Sequence, residues 1–217
     1  RQSVFKNIKP GLELETNLGY EFVQDRFKPL ETLRNVEFNR DWSIPYDAPA
    51  ATENLINASL QLNDAKKNFL KYQFTNYDRS DQYKGFRNSI DNMMVINGWH
   101  FDNKFYLTDI NTAIQKGAYL RPSMDVYKII KGLKDIKIGG GYSSENNQQR
   151  EIKSDTLLPI SFAFNTWQVY ISSSDKKPNK WGITYSSREN KIPFLKDLIT
   201  QDKSKNLSVT TELMENQ

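Results

Sequence analysis

The sequence predicts an all-β chain, an antiparallel meander of long hairpins forming part or all of a β-barrel or, as the alternative, a soluble β-sandwich. Three observations lead there. Only 37% of the 217 residues are hydrophobic and mean hydropathy is −0.72, yet aromatics reach 12%, the mixture that strands with one apolar and one polar face require. Apolar residues recur at every second position over long stretches, the period of a strand and not of a helix. The roughly ten strands this pattern yields recur about every 20 residues, wider than the ~8–12 of a typical sandwich, so the strands are long.

Residues 11–24 open the pattern, with Leu12, Leu14, Thr16, Leu18, Tyr20 and Phe22 on one side and Glu13, Glu15, Asn17, Gly19 and Glu21 on the other. In a soluble sandwich the charged side faces water; in a barrel in lipid it faces inward and the apolar side outward. Residues 25–49 lose the alternation, and Pro45 and Pro49 exclude a central strand because proline cannot donate to a ladder. An irregular loop or edge strand is expected there, with Arg40 and Asp41 ion-paired and Trp42 an aromatic plug closing one end of the sheet.

Asp47 or Thr52 could cap a short helix, but Ile56, Ala58, Leu60 and Leu62 alternate as a strand. Residues 64–68 then form a polar turn before Leu70, Tyr72 and Phe74 return on the next strand. Residues 76–85 read as a solvated turn, since Asp78 and Asp81 lack the glycine and terminal glutamate of a calcium loop. Residues 86–96 and 99–114 pair across Asn97-Gly98, the strongest short hairpin dipeptide. Met93-Met94-Val95-Ile96 is apolar on both sides, which suits a strand end covered on both faces.

Leu120, Pro122, Met124 and Val126 alternate next, Gly132 interrupts, and Ile136, Ile138, Gly140 and Tyr142 continue. Gly139-Gly140-Gly141 has neither the helix start nor the Lys-Ser/Thr of a phosphate loop; it is expected to permit curvature or close backbone approach. Residues 143–155 carry no apolar anchor and read as an exposed polar loop.

The clearest hairpin spans residues 160–188. Ile160, Phe162, Phe164, Thr166, Gln168 and Tyr170 alternate with Ser161, Ala163, Asn165, Trp167, Val169 and Ile171. Residues 172–180 supply turn formers, and Trp181, Ile183 and Tyr185 make the return arm. The Phe162/Phe164 face is expected to look outward. Behind Pro193, residues Phe194, Leu195, Leu198 and Ile199 sit at helical spacing, so a short helix is expected over 192–200. Leu207, Val209, Thr211 and Leu213 end the chain as a strand.

The residues that chemistry needs are sparse, and the chain is read as non-catalytic and without a cofactor. The absence of cysteine removes disulfides, thiolate metal sites and cysteine nucleophiles. His100, between Trp99 and Phe101, is the lone histidine; with no nucleophile elbow beside it, it reads as structural. Among 26 acids some pair always meets a glycosidase spacing, so such a pair carries no weight. The net charge of +4 and pI of 9.0 come from interspersed charges, not the clustered footprint that nucleic acid requires. No run reaches the ~18–20 apolar residues of a membrane helix, a test blind to strands that need only ~9–11.

The tryptophans could stack on sugars, fill a core or sit where an amphipathic ring bridges water and lipid. Trp167 and Trp181 lie at similar offsets from their hairpin loop and, with Tyr20 and Trp99, are candidate membrane-interface aromatics. Leu12, Leu14, Leu18, Phe22, Phe162 and Phe164 are the candidate lipid- or core-facing residues.

The long alternating strands, the KGLKDIKIGGGYSSENN stretch at 131–147 and the NVEFNRDW stretch at 35–42 resemble the large outer-membrane β-barrel proteins of Bacteroidota-type bacteria. That resemblance implies an antiparallel barrel segment in the outer membrane of a Gram-negative bacterium, acting without catalysis in transport, secretion or surface-complex assembly. Outer-membrane lipid and other outer-membrane or surface proteins are its implied partners. Such barrels close on a strand ending in an aromatic, whereas this chain ends Met214-Glu215-Asn216-Gln217 and opens on Arg1 without a signal peptide. Residues 1–217 are therefore expected to be one sheet or barrel unit, either a mature product or an internal piece of a longer protein. The alternative is a secreted or periplasmic β-sandwich binding glycans or proteins through its aromatics and loops.

Overall fold

The computed structural model describes residues 2–26, 36–42, 44, 48–66, 68–80, 83–151, 156–173, 179–195 and 198–212. In order these are β1 (Gln2–Lys9), β2 (Leu12–Val23), α1 (Val36–Asp41), β3 (Glu53–Asp64), β4 (Phe69–Arg79), β5 (Lys84–Ile96), β6 (Trp99–Ile110) and β7 (Ala113–Asp125). A single 3-10 turn follows at Val126–Lys128, then β8 (Ile136–Glu151), β9 (Thr156–Ser173), β10 (Lys180–Leu195) and β11 (Leu198–Glu212). All eleven strands belong to one sheet in sequence order, every pair antiparallel. The antiparallel meander of long hairpins is thus the fold of the described residues. It is open, for β1 pairs with β2 alone and β11 with β10 alone.

The turns follow from local chemistry. Asn97 and Gly98 both adopt positive φ, 52° and 87°, as a two-residue turn matching the strand twist demands. At the β3–β4 turn the Asp64 carboxylate accepts backbone N–H bonds from Lys66 at 2.7 Å and Asn68 at 2.9 Å, an Asx-type clasp.

Several expectations are corrected by cross-strand pairing. Residues 143–151 are not a loop but the outer half of β8, paired with β7 through Ala113↔Gln149 and with β9 through Glu151↔Thr156. A polar strand with partners on both sides needs no apolar anchor, because its ladder satisfies the backbone. The helix expected over 192–200 is absent: Pro193↔Ile199 and Ile192↔Thr200 lie in the β10–β11 ladder, where pairing overrides local spacing. Residues 76–79 belong to β4 and residues 84–85 to β5, so the solvated turn is shorter than expected; Asp81 lies outside the described residues. The 25–49 segment contains α1. β1 carries no clean alternation and is found only in the structure.

Candidate functional site

Register sorts the side chains into two unlike faces. On one, Leu18, Ala58, Phe74, Asn88 and Leu107 form a mainly apolar row across β2–β6. The same hydrogen-bonded row continues across β7–β11 as Lys116, Asn146, Ala163, Lys191 and Gln201. A second row on that face, Ile96, Trp99, Met124, Ile138, Ile171, Ile183 and Val209, is apolar from β5 to β11. The apolar surface is therefore a band running obliquely to the hydrogen-bond rows. Much of it is uncovered, with Leu18, Tyr20, Trp167 and Val169 60–64% exposed, whereas Met124 in the second row is buried.

The candidate interface aromatics Tyr20, Trp99, Trp167 and Trp181 all stand on this face, as do Leu12, Leu14, Leu18 and Phe22. Trp167 and Trp181 bracket the band and do not share one level. Trp181 stands beside Ser173, bonding its hydroxyl through the backbone N–H at 3.1 Å, about 20 Å along the strands from Trp167 at ~3.4 Å per residue.

Phe162 and Phe164, expected to look outward, do not share the face of the apolar band. They lie on the opposite side of β9, where Phe164 packs against Phe162 at 5.8 Å and under the Arg188 guanidinium at 4.2 Å. Trp167, Val169 and Ile171 take the positions on the band's face. Both sides of β9 are rich in large apolar residues, so alternation alone leaves its phase open; the partner strands decide it.

The other face is polar and carries the Trp42 plug. Trp42 is 2% exposed, meets Tyr77 at 5.0 Å, and shares one buried apolar cluster with Leu55, Tyr77, Ile110 and Ala113, from β3, β4, β6 and β7. Phe38 meets Trp42 at 6.0 Å and Tyr77 edge-on at 5.2 Å. The adjoining 48–52 segment is tied down by Arg79, which bonds the Pro49 carbonyl and pairs with Glu53 at 3.6 Å. Asp41, expected to pair with its neighbour Arg40, instead meets Arg87 of β5 at 2.7 Å; the Arg40 side chain lies outside the described residues. The helical turn and the cluster beneath it thus draw side chains from five consecutive strands, β3 to β7.

Beside the plug, Arg87 lies over the Tyr106 ring at 4.5 Å, Tyr106 stacks near Tyr119 at 6.4 Å, and the Tyr119 hydroxyl donates to Glu145. Asp102, Lys104 and Arg121 join them around a cleft of about 340 Å³. Its charges balance, Arg87, Lys104 and Arg121 against Asp41, Asp102 and Glu145. Such a lining suits polar or dipolar solutes more than a strongly charged one. The arrangement depends on glycine. A Cβ at Gly117 would stand 2.1 Å from the Tyr106 ring, and one at Gly139 would stand 2.3 Å from that of Tyr170. The glycine run expected to permit close approach does so at Gly139 and at Gly141, where Gln168 lies over the backbone.

His100 pairs with Val95 beside the Asn97-Gly98 turn, away from this cleft. Asp78 pairs with Lys84 at 3.1 Å, and among the described residues no carboxylate or histidine cluster could hold a metal. Sequence reasoning passed over Arg87, Tyr106, Tyr119 and Glu145; alternation marks them only as polar-face residues, and register alone gathers them. Comparison with protein-family models, curated proteins and solved structures finds no match in any of the three.

Proposed function

We propose that this chain forms part of the wall of an outer-membrane β-barrel and acts without catalysis in transport, secretion or surface-complex assembly. The oblique apolar band carries the reading. Strands of a membrane barrel tilt by about 35–45° from its axis, so a band level with the bilayer must cross the hydrogen-bond rows at an angle, as it does here between the Leu18 row and the Ile183 row. Exposed contiguous apolar surface beyond a few hundred Å² is rare on soluble monomers, and lipid gives it a solvent. The polar face, with its balanced charges and its plug, suits the lining of a polar passage. Outer-membrane lipid and neighbouring outer-membrane or surface proteins are the partners this implies.

The test is fluorescence of single-tryptophan variants in vesicles containing brominated lipid. Trp99, Trp167 and Trp181 should be quenched and Trp42 should not. A monodisperse monomer in plain buffer, unquenched on adding vesicles, would overturn the reading in favour of a secreted β-domain that binds glycans or proteins.

A further inference from the structure

Of the large apolar side chains left exposed among the described residues, only four stand outside a strand: Tyr127, Ile129, Ile130 and Leu133. All four belong to the connection between β7 and β8. It leaves the sheet after Asp125, next to Met124, and rejoins it at Ile136, two residues before Ile138. It therefore borders the end of the apolar band, at the row through Ile96, Trp99, Met124 and Ile138.

The connection is ordered by its own bonds. Val126 is buried, its carbonyl accepts from the N–H groups of Ile129 and Ile130 at 2.9 Å, and the Leu133 N–H donates to the Ile130 carbonyl at 3.0 Å. The Lys128 stem lies against the β5–β6 turn, where a Cβ on Gly98 would stand 3.0 Å from it. The surface so held mixes two chemistries. Ile129 and Ile130 are 67% and 52% exposed, and Lys128, Lys131 and Lys134 recur among the apolar residues, with no acid between residues 126 and 134. Lys131 and Lys134 have no charge partner among the described residues, and the flanking Asp125 and Asp135 leave the connection net positive.

We infer that residues 126–135 are a membrane anchor that binds the phosphate headgroups of anionic phospholipid, with Ile129, Ile130 and Leu133 entering the boundary between headgroups and acyl chains. This rests on the barrel reading, which puts this end of the band at the bilayer surface. Lysine set among aliphatic residues suits lipid better than protein. Protein interfaces are depleted of lysine, whereas beside a bilayer its stem stays on apolar surface while its ammonium reaches phosphate. Each lysine close to an anionic membrane strengthens binding about fivefold.

Gly132 is the place for a probe, because a side chain there would meet nothing within 4 Å and the chain has no cysteine of its own. The full chain carrying Gly132→Cys with a thiol-linked fluorophore is inserted into vesicles of phosphatidylcholine and phosphatidylglycerol in equal parts, one lipid or the other brominated on its acyl chains. At low ionic strength, brominated phosphatidylglycerol should quench the label at least about twofold more strongly than brominated phosphatidylcholine. Lys128→Gln, Lys131→Gln and Lys134→Gln together should bring the two to parity. Ile129→Ser with Ile130→Ser should weaken quenching by both lipids. Trp167, as the single tryptophan, reads the barrel separately. If Trp167 is quenched while the label is not, or while the label shows no preference for the anionic lipid, the inference falls and the barrel reading stands. If neither is quenched, both fall.

Discussion

Arg87 and Asp41 form an ion pair at 2.7 Å that fastens α1 to the polar face of the sheet. Their side chains are 17% and 30% exposed, so solvent screens the pair only in part and it is worth about 1 kcal/mol, the upper end of the range for exposed pairs. Asp41→Ala should raise hydrogen exchange in α1 several-fold while the strands stay protected. Arg87→Lys, with Asp41 intact, should cause only part of the same loss, since an ammonium keeps the charge but cannot lie flat on Tyr106. Unchanged α1 exchange in Asp41→Ala would show that the pair does not hold the helix.

Trp42 is the largest side chain in the plug, and its truncation should act locally. Trp42→Ala removes a fully buried ring, a change that destabilises by about 3–5 kcal/mol. The measurable consequence is protease cutting within residues 48–52 and loss of near-ultraviolet ellipticity, with the far-ultraviolet strand signal retained. Loss of both signals together would mean that the sheet depends on the plug to fold.

Gly117 and Tyr106 form a pair that a double-mutant cycle can read. Gly117→Val forces a side chain where the Tyr106 ring lies and should destabilise by about 1–3 kcal/mol through overpacking. Tyr106→Ala in the same chain should relieve most of that loss. If the two changes simply add in denaturant titration, the ring is not held over the glycine.

Charge placement separates the two faces. Val169→Arg should block membrane insertion, at about 2–4 kcal/mol near the bilayer midplane. Phe164→Arg, on the opposite face of the same strand, should insert normally. Equal failure of both in a vesicle-insertion assay would contradict the assignment of the faces.

The β3–β4 turn should respond to acid. Desolvation pushes the Asp64 carboxyl up, but the bonds from Asn68 and Lys66 and the nearby Lys66 charge outweigh it and hold its pKa below the ordinary carboxylate value. The stabilisation is therefore complete above the unfolded carboxylate pKa of about 3.9 and is lost as pH falls through the lower folded value. Hydrogen exchange at Asn68, compared with that in Asp64→Ala, should show a protection difference at pH 6 that disappears in strong acid.

The strands were legible wherever one face differs chemically from the other. Leu12 to Phe22 and Ile56 to Leu62 declare themselves by alternation, and Asn97-Gly98 marks its own turn. Residues 143–151 escaped because a strand that has left the apolar band has no face to mark it. Pro193 to Ile199 misled because four apolar residues around a proline satisfy helical spacing as well as a hairpin end does. For Phe164 against Trp167, both phases of β9 are rich in large apolar residues, and only the partner strands choose between them. The polar cleft was illegible for a similar reason: Arg87, Tyr106, Tyr119 and Glu145 come from four different strands.

The slant of the apolar band makes every hairpin turn a vertical adjustment as well as a connection. A slip of two residues between neighbouring strands preserves inside and outside yet raises or lowers every later strand by one step against the band. Changes in turn length would therefore act like changes in the pitch of a screw, setting how deep the later strands sit while leaving their side-chain chemistry unchanged.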